Sequence, residues 1–443
     1  MSENPFEIVF DHLPQIRKFI HGHKFLVGIG ILLMVLIVNL HELALLVIIP
    51  AAIVGVIIAR KPKARAFLAS YWTNQRQQRL LDSSLAHDTN LAQRPPQIIS
   101  VENTPHATIL HTHLPPGTTV DSLSRNAEFI ASYFEVSAAR ILRNADNASL
   151  VDVKLIRGNP LSGQVLNWTD DLTVERSLWD RLSPGIDEEG RLVEIYLPEH
   201  SFLIGGEPGS GKTVFLTVLL MFIICCPQVQ LYIFDGKEID LIGYIPLTVE
   251  SVGCDIKRAI EVMQQLREVM ADRYATLRKL GLKKIDRTCG FSHIVVLIDE
   301  LAFYVTSGKE GKEFAEALRD LIARARAAGI IVILTTQKPS ADTVPTNIRD
   351  LISHRVAFRC GSIDASATIL GQGWAGEGYS ASSISVSDRG VGYLLGDTGL
   401  PQLFRSYYVT PDQEATAIES AMRLRGLDIL PELDESEDGD DDV

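Results

Sequence analysis

Eight consecutive residues, Gly206-Glu207-Pro208-Gly209-Ser210-Gly211-Lys212-Thr213, carry the spacing G-x-x-x-x-G-K-[ST]. Glycines at 206, 209 and 211 let the main chain fold into a nest whose N–H groups face the β- and γ-phosphates of a nucleotide. Lys212 brings a mobile positive charge against the same phosphates. Thr213 is expected to place its hydroxyl on Mg²⁺, so the ligands this segment implies are ATP and Mg²⁺. Apolar Phe202-Leu203-Ile204 leads straight into the motif, and Val214 to Cys226 follows it with no breaker before Pro227. A strand before and a helix after are the context the chemistry needs, because the helix N-terminus adds partial positive charge beneath the phosphates. A glycine-rich turn with no phosphate to hold would need neither flank.

A second constellation completes such a site. Ile294-Val-Val-Leu-Ile298 reads as a fully buried strand, and Asp299-Glu300 follow it directly. Two carboxylates at a strand's C-terminal end suit different work: Asp299 for the Mg²⁺ shell, Glu300 for polarising an attacking water. A kinase-like P-loop domain would not need Glu300, so its presence favours hydrolysis repeated many times, as in a motor. A further strand, Ile330 to Thr336, ends in Gln337-Lys338-Pro339. Gln337 either hydrogen-bonds the γ-phosphate or its water and reports hydrolysis to the domain, or caps its own loop.

The elements that must position these residues alternate strand and helix, which predicts an α/β P-loop NTPase domain with a parallel-rich sheet. It is expected to span 181–410, followed by a helix over 411–430 and an acidic disordered tail over 431–443. Short β-type runs around a helix near Ser122 to Phe134 predict a small α+β domain over 97–180. Residues 60–96, rich in Gln, Arg and Asn, read as a basic and polar linker or an exposed helix. The formal charge is −13, but Pro431 to Val443 hold eight acids and no base, leaving −5 for the rest. A mildly acidic body argues against a large basic face for wrapping nucleic acid, so any such contact is expected to be local, for instance in a ring's channel. Cys225, Cys226, Cys254, Cys289 and Cys360 are odd in number and lie at no zinc-like spacing, which suits thiols in a reducing cytoplasm.

Near the N-terminus, after residues 1–24, two uncharged apolar runs of 16 and 17 residues, Phe25 to Leu40 and Leu43 to Ala59, are separated by the polar Asn39-His41-Glu42 patch. At 1.5 Å per residue each is near the lower limit for crossing about 30 Å of hydrocarbon. They predict a two-helix transmembrane hairpin over 25–59. Basic residues flank it on both sides (Arg17, Lys18 and Lys24 before, Arg60, Lys61, Lys63 and Arg65 after). Both termini and the P-loop domain are therefore expected on the cytoplasmic side of the cell membrane. A signal peptide is disfavoured by the second run and the basic cluster behind it.

The P-loop, Asp235-Gly236-Lys237 after the next strand, Met270-Ala271-Asp272-Arg273-Tyr274, the LIDE run ending at Glu300 and ARAAGIIVILTTQKPS from Ala325 to Ser340 form an ordered set. Together they resemble the FtsK/SpoIIIE family of DNA translocases over roughly residues 180 to 410. The stretches from Ile369 to Asp397 and from Leu182 to Leu197 are similar to the compact Tra-type transfer proteins of actinobacterial conjugative plasmids and integrative elements. The resemblance implies a homohexameric ring that threads double-stranded DNA, with each ATP site closed by a neighbouring subunit's arginine. Arg326, on an expected helix from Glu313 to Ala328, and Arg273 are the two candidates for that finger. The Gly/Ser-rich segment from Gly371 to Ser387 either lines a channel or is a solvated connection. Cell-division translocases carry a C-terminal winged helix that reads oriented DNA sites, whereas about thirty residues follow Val409 here. A separate recognition partner or sequence-blind loading is the expectation. Type VII secretion ATPases, which move protein, share the cassette and the paired anchor helices, but string several cassettes where one GK[ST] is found here. A P-loop protein that merely signals its nucleotide state would need neither the Asp-Glu pair nor Gln337.

Overall fold

The computed structural model describes residues 62–144, 147–157, 161, 165–169, 171 and 174–427. The expected hairpin at 25–59, the stretch before it and the acidic tail lie outside them. Among the described residues no helix is long and apolar enough to cross a membrane.

Two compact units are present. The first draws its described residues from 62–102, 110–134 and 142–153. Its polar N-terminal segment is helical, as α1 (Pro62–Ser84) and α2 (Thr89–Gln93), the latter started by Asp88, whose side chain accepts from the N–H groups of Asn90 and Leu91. Strands β1 (Gln97–Asn103), β2 (Ala107–His113), β3 (Ala138–Arg143) and β4 (Leu150–Ile156) form a sheet in the order β1-β2-β4-β3. Gln78 fastens α1 to the start of this sheet. Its Nε2 donates to the Pro96 carbonyl at 2.8 Å and its Oε1 accepts from the Ile98 N–H at 2.7 Å. The single helix expected near 122–134 is two, α3 (Val120–Ser124) and α4 (Ala127–Tyr133). The break has a local cause: the Asn126 side chain donates back to the Ser122 carbonyl at 2.8 Å and competes with helix continuation.

The second unit holds a ten-stranded sheet in the order β6-β5-β14-β13-β12-β7-β11-β10-β8-β9. Its strands are β5 (Leu182–Asp187), β6 (Leu192–Ile195), β7 (Ser201–Gly205), β8 (Gln230–Asp235), β9 (Thr248–Val252), β10 (Ile294–Asp299), β11 (Ile330–Thr336), β12 (His354–Phe358), β13 (Val391–Leu395) and β14 (Gln402–Ser406). The six from β12 to β9 run parallel, and β13, β14, β5 and β6 continue antiparallel. Helices α5 (Lys212–Ile224), α6 (Ile256–Leu280), α7 (Leu301–Val305), α8 (Gly308–Ala325), α9 (Thr346–Arg349), α10 (Ile363–Leu370) and α11 (Pro411–Leu424) connect and cover them.

Successive side chains on a strand point to opposite faces, and both faces here are covered, which is why the central strands are uninterrupted apolar runs. Phe202, Ile204, Val295, Leu297, Ile331 and Ile333 pack on one side with α5 and α11. Leu203, Ile294, Val296, Ile298, Ile330, Val332 and Leu334 pack on the other with α6 and α8. The apolar stripe of α8 (Phe314, Ala317, Leu318, Leu321, Ile322, Ala325) is buried there in full. Parallel register aligns the strand ends: Asp299 faces Asp235, and Thr336 faces Gly205. The P-loop, the Asp299-Glu300 pair and Gln337 therefore emerge at the same edge of the sheet.

At the start of β10 lies an untitrated base. His293 is 5% exposed, its ring meets Trp179 edge-on at 4.6 Å, and its Nε2 has no hydrogen-bond partner. Burial, helped by the Arg273 charge, pulls its pKa down to about 4. The unfolded chain takes up this proton near pH 6.5, before the fold can, so stability present above that pH is lost as pH falls toward 4. The shift corresponds to roughly 3 kcal/mol. Urea unfolding at stepped pH should show this loss in the wild type and a shallower acid slope in His293→Leu; identical slopes would contradict the assignment.

Candidate nucleotide site

The P-loop joins β7 to α5, and its backbone is packed from behind by two other strand ends. A Cβ on Gly206 would stand 2.7 Å from Ser210 Oγ and 2.8 Å from Phe358 Cβ. Gly211, at φ +107°, is pressed against the loop before β13, where a Cβ would come within 2.4 Å of the Gly390 nitrogen. The Gly390 N–H donates to the Ser210 carbonyl at 2.9 Å, and the Glu207 N–H to the Arg359 carbonyl at 3.0 Å. Pro208 and Gly209 form the exposed tip, and Thr213 is exposed on the first turn of α5. Gly209 has φ +74° with open space around it, so its need for glycine comes from the backbone alone.

Lys212 and Asp299 meet at the centre. Lys212 Nζ lies 3.3 Å from Asp299 Oδ1 and 3.2 Å from Thr335 Oγ1, and the Thr335 hydroxyl donates to Asp299 Oδ1 at 2.6 Å. Lys212 is 5% exposed and Asp299 2%. Burial alone would raise the Asp299 carboxyl, but the Lys212 ammonium, the Thr335 hydroxyl and the Lys237 charge outweigh it and hold the pKa below the usual carboxylate value. Asp299 Oδ2 is buried with no hydrogen-bond donor, and Lys237 Nζ lies 3.8 Å from it. An ionised carboxylate oxygen left without a donor fits a divalent cation. Asp299 and Thr213 are the residues that would hold Mg²⁺, which neutralises charge on the terminal phosphates when bound.

Glu300 stands beside this pair in a costly conformation. Its φ of +56° is left-handed, unusual for a residue with a Cβ and of order 1–3 kcal/mol in strain. Its carboxylate meets the end of β11. The Thr336 hydroxyl donates to Oε1 at 3.0 Å, and the Gln337 N–H to Oε2 at 3.0 Å. Gln337 is thus brought to Glu300 through its main chain. Thr335 and Thr336 were not singled out from the sequence, although two hydroxyls closing an otherwise apolar strand were the signal. A third unforeseen group is Arg359 at the end of β12, whose Nη1 pairs with the Glu207 carboxylate of the P-loop.

The two arginine candidates separate. Arg273 is 6% exposed, donates to the Ala328 carbonyl at 2.8 Å and lies over the Phe291 ring at 5.3 Å. It is committed to packing the α6 side of the core, and a finger role would require breaking those contacts. Arg326 is largely exposed and pairs with Glu199 at 3.5 Å. The helix expected to carry it stops at Ala325, and residues Arg326–Ala328 tighten into a 3₁₀ turn before Gly329 at φ +70°. Arg326 therefore sits before β11, at the sheet edge opposite its own P-loop. In the 371–387 segment, Ala381 is buried under the end of β12, its carbonyl accepting from the Cys360 N–H, while residues 376–378 are exposed.

Removing the Lys212 charge tests the centre of this geometry. Lys212→Ala should weaken binding of a fluorescent ATP analogue by about 100-fold, the equivalent of one strong charge-assisted contact. Thr335→Val should weaken it less, because Asp299 keeps its ionic partner.

Comparison with known proteins follows the same lines. The chain is 26% identical over 366 residues to the DNA translocase FtsK of Corynebacterium efficiens, an alignment covering 76% of this chain and 37% of that protein. It is 28% identical over 323 residues to the DNA translocase FtsK of Mesorhizobium japonicum, covering 62% and 36%. It thus spans little more than a third of the length of these curated relatives. Among solved structures, the monomeric pCW3 conjugation coupling protein TcpA with ATPγS superposes with a TM-score of 0.53 at 18% identity, covering 79% of this chain and 99% of that one. ATPases 2 and 3 of EssC from Geobacillus thermodenitrificans superpose with a TM-score of 0.50 at 16% identity, covering 59% and 52%. At such identities these likenesses concern the fold. Residues 181–293, which include β7, the P-loop and α5 and stop just before β10, match the FtsK/SpoIIIE family.

Proposed function

We propose that this chain is an ATPase that moves double-stranded DNA, working as a membrane-anchored hexameric ring in conjugative transfer of a plasmid or integrative element. The observation that carries the ATPase part is the strand-end cluster, in which Lys212 and Asp299 are bridged by Thr335 and Glu300 waits on the next residue. Lys212 would follow the β- and γ-phosphates as they enter the nest. Asp299, kept ionised by its neighbours, would hold Mg²⁺ with Thr213. Glu300 would turn one oxygen from Thr336 to accept a hydrogen bond from the attacking water. DNA as the substrate rests on the relatives named above. Conjugation rests on the resemblance of residues 182–197 and 369–397 to Tra-type transfer proteins.

In a hexamer, an arginine of the neighbouring subunit would face the phosphates across the boundary. Arg326 is the candidate we retain for it, since it is exposed on the far edge of the sheet. The membrane anchor is assigned to the apolar runs at 25–59, with the ATPase domain on the cytoplasmic side. A separate protein would then choose the DNA site. The rival reading, a type VII secretion-like ATPase for protein substrates, shares the fold of EssC and so is separated by substrate.

Because both oxygens of Glu300 are engaged by the end of β11, turnover without a polymer should be slow and should rise when DNA shifts that strand end. The purified full chain should therefore hydrolyse ATP several-fold faster with duplex DNA than with secretion-signal peptides; stimulation by peptide alone would select the rival. Thr336→Val removes one hydrogen bond that restrains Glu300. Its DNA-independent rate should rise by about tenfold, matching roughly 1.4 kcal/mol, and its stimulation ratio should shrink. A fall in that rate would mean that Thr336 holds Glu300 ready to act.

A further inference from the structure

At the edge of the ten-stranded sheet opposite the P-loop, three side chains from separate strands converge. His200 immediately precedes β7, His354 begins β12, and Asp397 lies in the turn between β13 and β14. The imidazoles meet at 4.3 Å between ring centres. Asp397 Oδ1 is 3.9 Å from His200 Nε2 and 3.8 Å from His354 Nε2, and one ligand atom from each residue lies within 4.8 Å of the others. Neither imidazole belongs to the nucleotide site, and the translocation chemistry uses none of the three.

The surroundings are built to present the Nε2 atoms. Ser353 Oγ lies behind both rings, 3.3 Å from His200 Nδ1 and 3.4 Å from His354 Nδ1, and is itself held by the Ser201 main chain. With one of its lone pairs taken by the Ser201 N–H, the hydroxyl accepts from one Nδ1–H at a time, which leaves that ring's lone pair on Nε2, the arrangement that orients metal-binding histidines. Gly396 keeps the space beside His354 open, since a Cβ there would stand 2.8 Å from Nε2. Asp397 is exposed and gives an ion a way in.

We propose that His200, His354 and Asp397 form a site for one divalent transition-metal ion of the zinc class, tying the starts of β7 and β12 to the β13–β14 turn. Tetrahedral zinc with ligands at about 2.0–2.1 Å sets its donor atoms about 3.3 Å apart. The present separations need a closure of roughly half an ångström at Asp397, and more between the imidazoles, which the exposed turn and the half-buried His200 allow. Two imidazoles and one carboxylate suit zinc over Mg²⁺. A fourth position stays open to water or to a donor from another molecule. Arg326 and Glu199 contribute to the electrostatics at His200, so the ion would add positive charge beside the candidate finger.

The test uses the full chain, stripped with a chelator, free of nucleotide and kept in excess Mg²⁺ so that only non-magnesium sites respond. Calorimetric titration with Zn²⁺ should show one ion per chain at micromolar affinity or tighter, and Co²⁺ should give visible absorption bands from a nitrogen-containing site. Asp397→Asn, at an exposed position that does not threaten folding, and His200→Asn should each weaken binding at least ~100-fold. Ser353→Ala should weaken it about tenfold. Lys212→Ala should leave it unchanged, which separates this site from the phosphate site. Absence of saturable binding in the wild type, or binding that persists in the His200→Asn/Asp397→Asn double variant, would overturn the proposal.

Discussion

A buried pair of opposite charges, Lys212 and Asp299, joined through one hydroxyl of Thr335, is what the working edge of this sheet is organised around. Either charge alone in that place would be expensive, since a buried ion without its partner typically costs several kcal/mol. Each therefore requires the other, and both require strands that end at the same level. Parallel β7, β11 and β10 in aligned register meet that requirement, and the apolar faces above and below hold the register in place. The pair is also poised to be broken. An incoming phosphate would compete for Lys212, and Asp299, whose Oδ2 has no donor, would then be free to take a cation.

The same strand that bridges the charge pair also restrains the second acid. Thr335 faces Lys212 and Asp299, while Thr336 and the Gln337 N–H face Glu300. A displacement of the end of β11 would change the two contacts together, so the surroundings of Lys212 and the freedom of the Glu300 carboxylate share one mechanical element. The left-handed backbone at Glu300 fits this role, because strain held by surrounding contacts is released when those contacts move. Further packing reaches the P-loop from the neighbouring strands: Arg359 pairs with Glu207, and Gly390 lies against Gly211. The loop is thus in touch with the ends of β12 and with the turn that opens β13.

Much of this was legible in the residues. The uninterrupted apolar runs at 202–204, 294–298 and 330–336 could only be strands covered on both faces, and the glycine spacing at 206–211 forced the turn between the first of them and α5. The period-3.6 apolar stripe on α8 is buried against the sheet. What escaped notice depended on contacts between residues far apart in sequence. Thr335 and Thr336 gain meaning only beside Lys212 and Glu300. Arg273 was one of the two finger candidates, yet its guanidinium donates to the Ala328 carbonyl. Local chemistry misled twice, where the Asn126 side chain splits one helix into two and where the turn before Gly329 ends α8 at Ala325. The metal-like cluster was invisible for the same reason: His200, His354 and Asp397 are brought together by strand order alone.

The claim on which the account turns is that Glu300 activates water while Lys212 and Asp299 hold the nucleotide, two separable tasks on adjacent elements. Single-turnover hydrolysis by Glu300→Gln, measured alongside its ATP affinity, tests it most directly. The account predicts affinity equal to the wild type and a chemical step slowed by a factor of about 100 or more, the usual contribution of a general base. Hydrolysis at the wild-type rate, or a loss that resides wholly in binding, would contradict it.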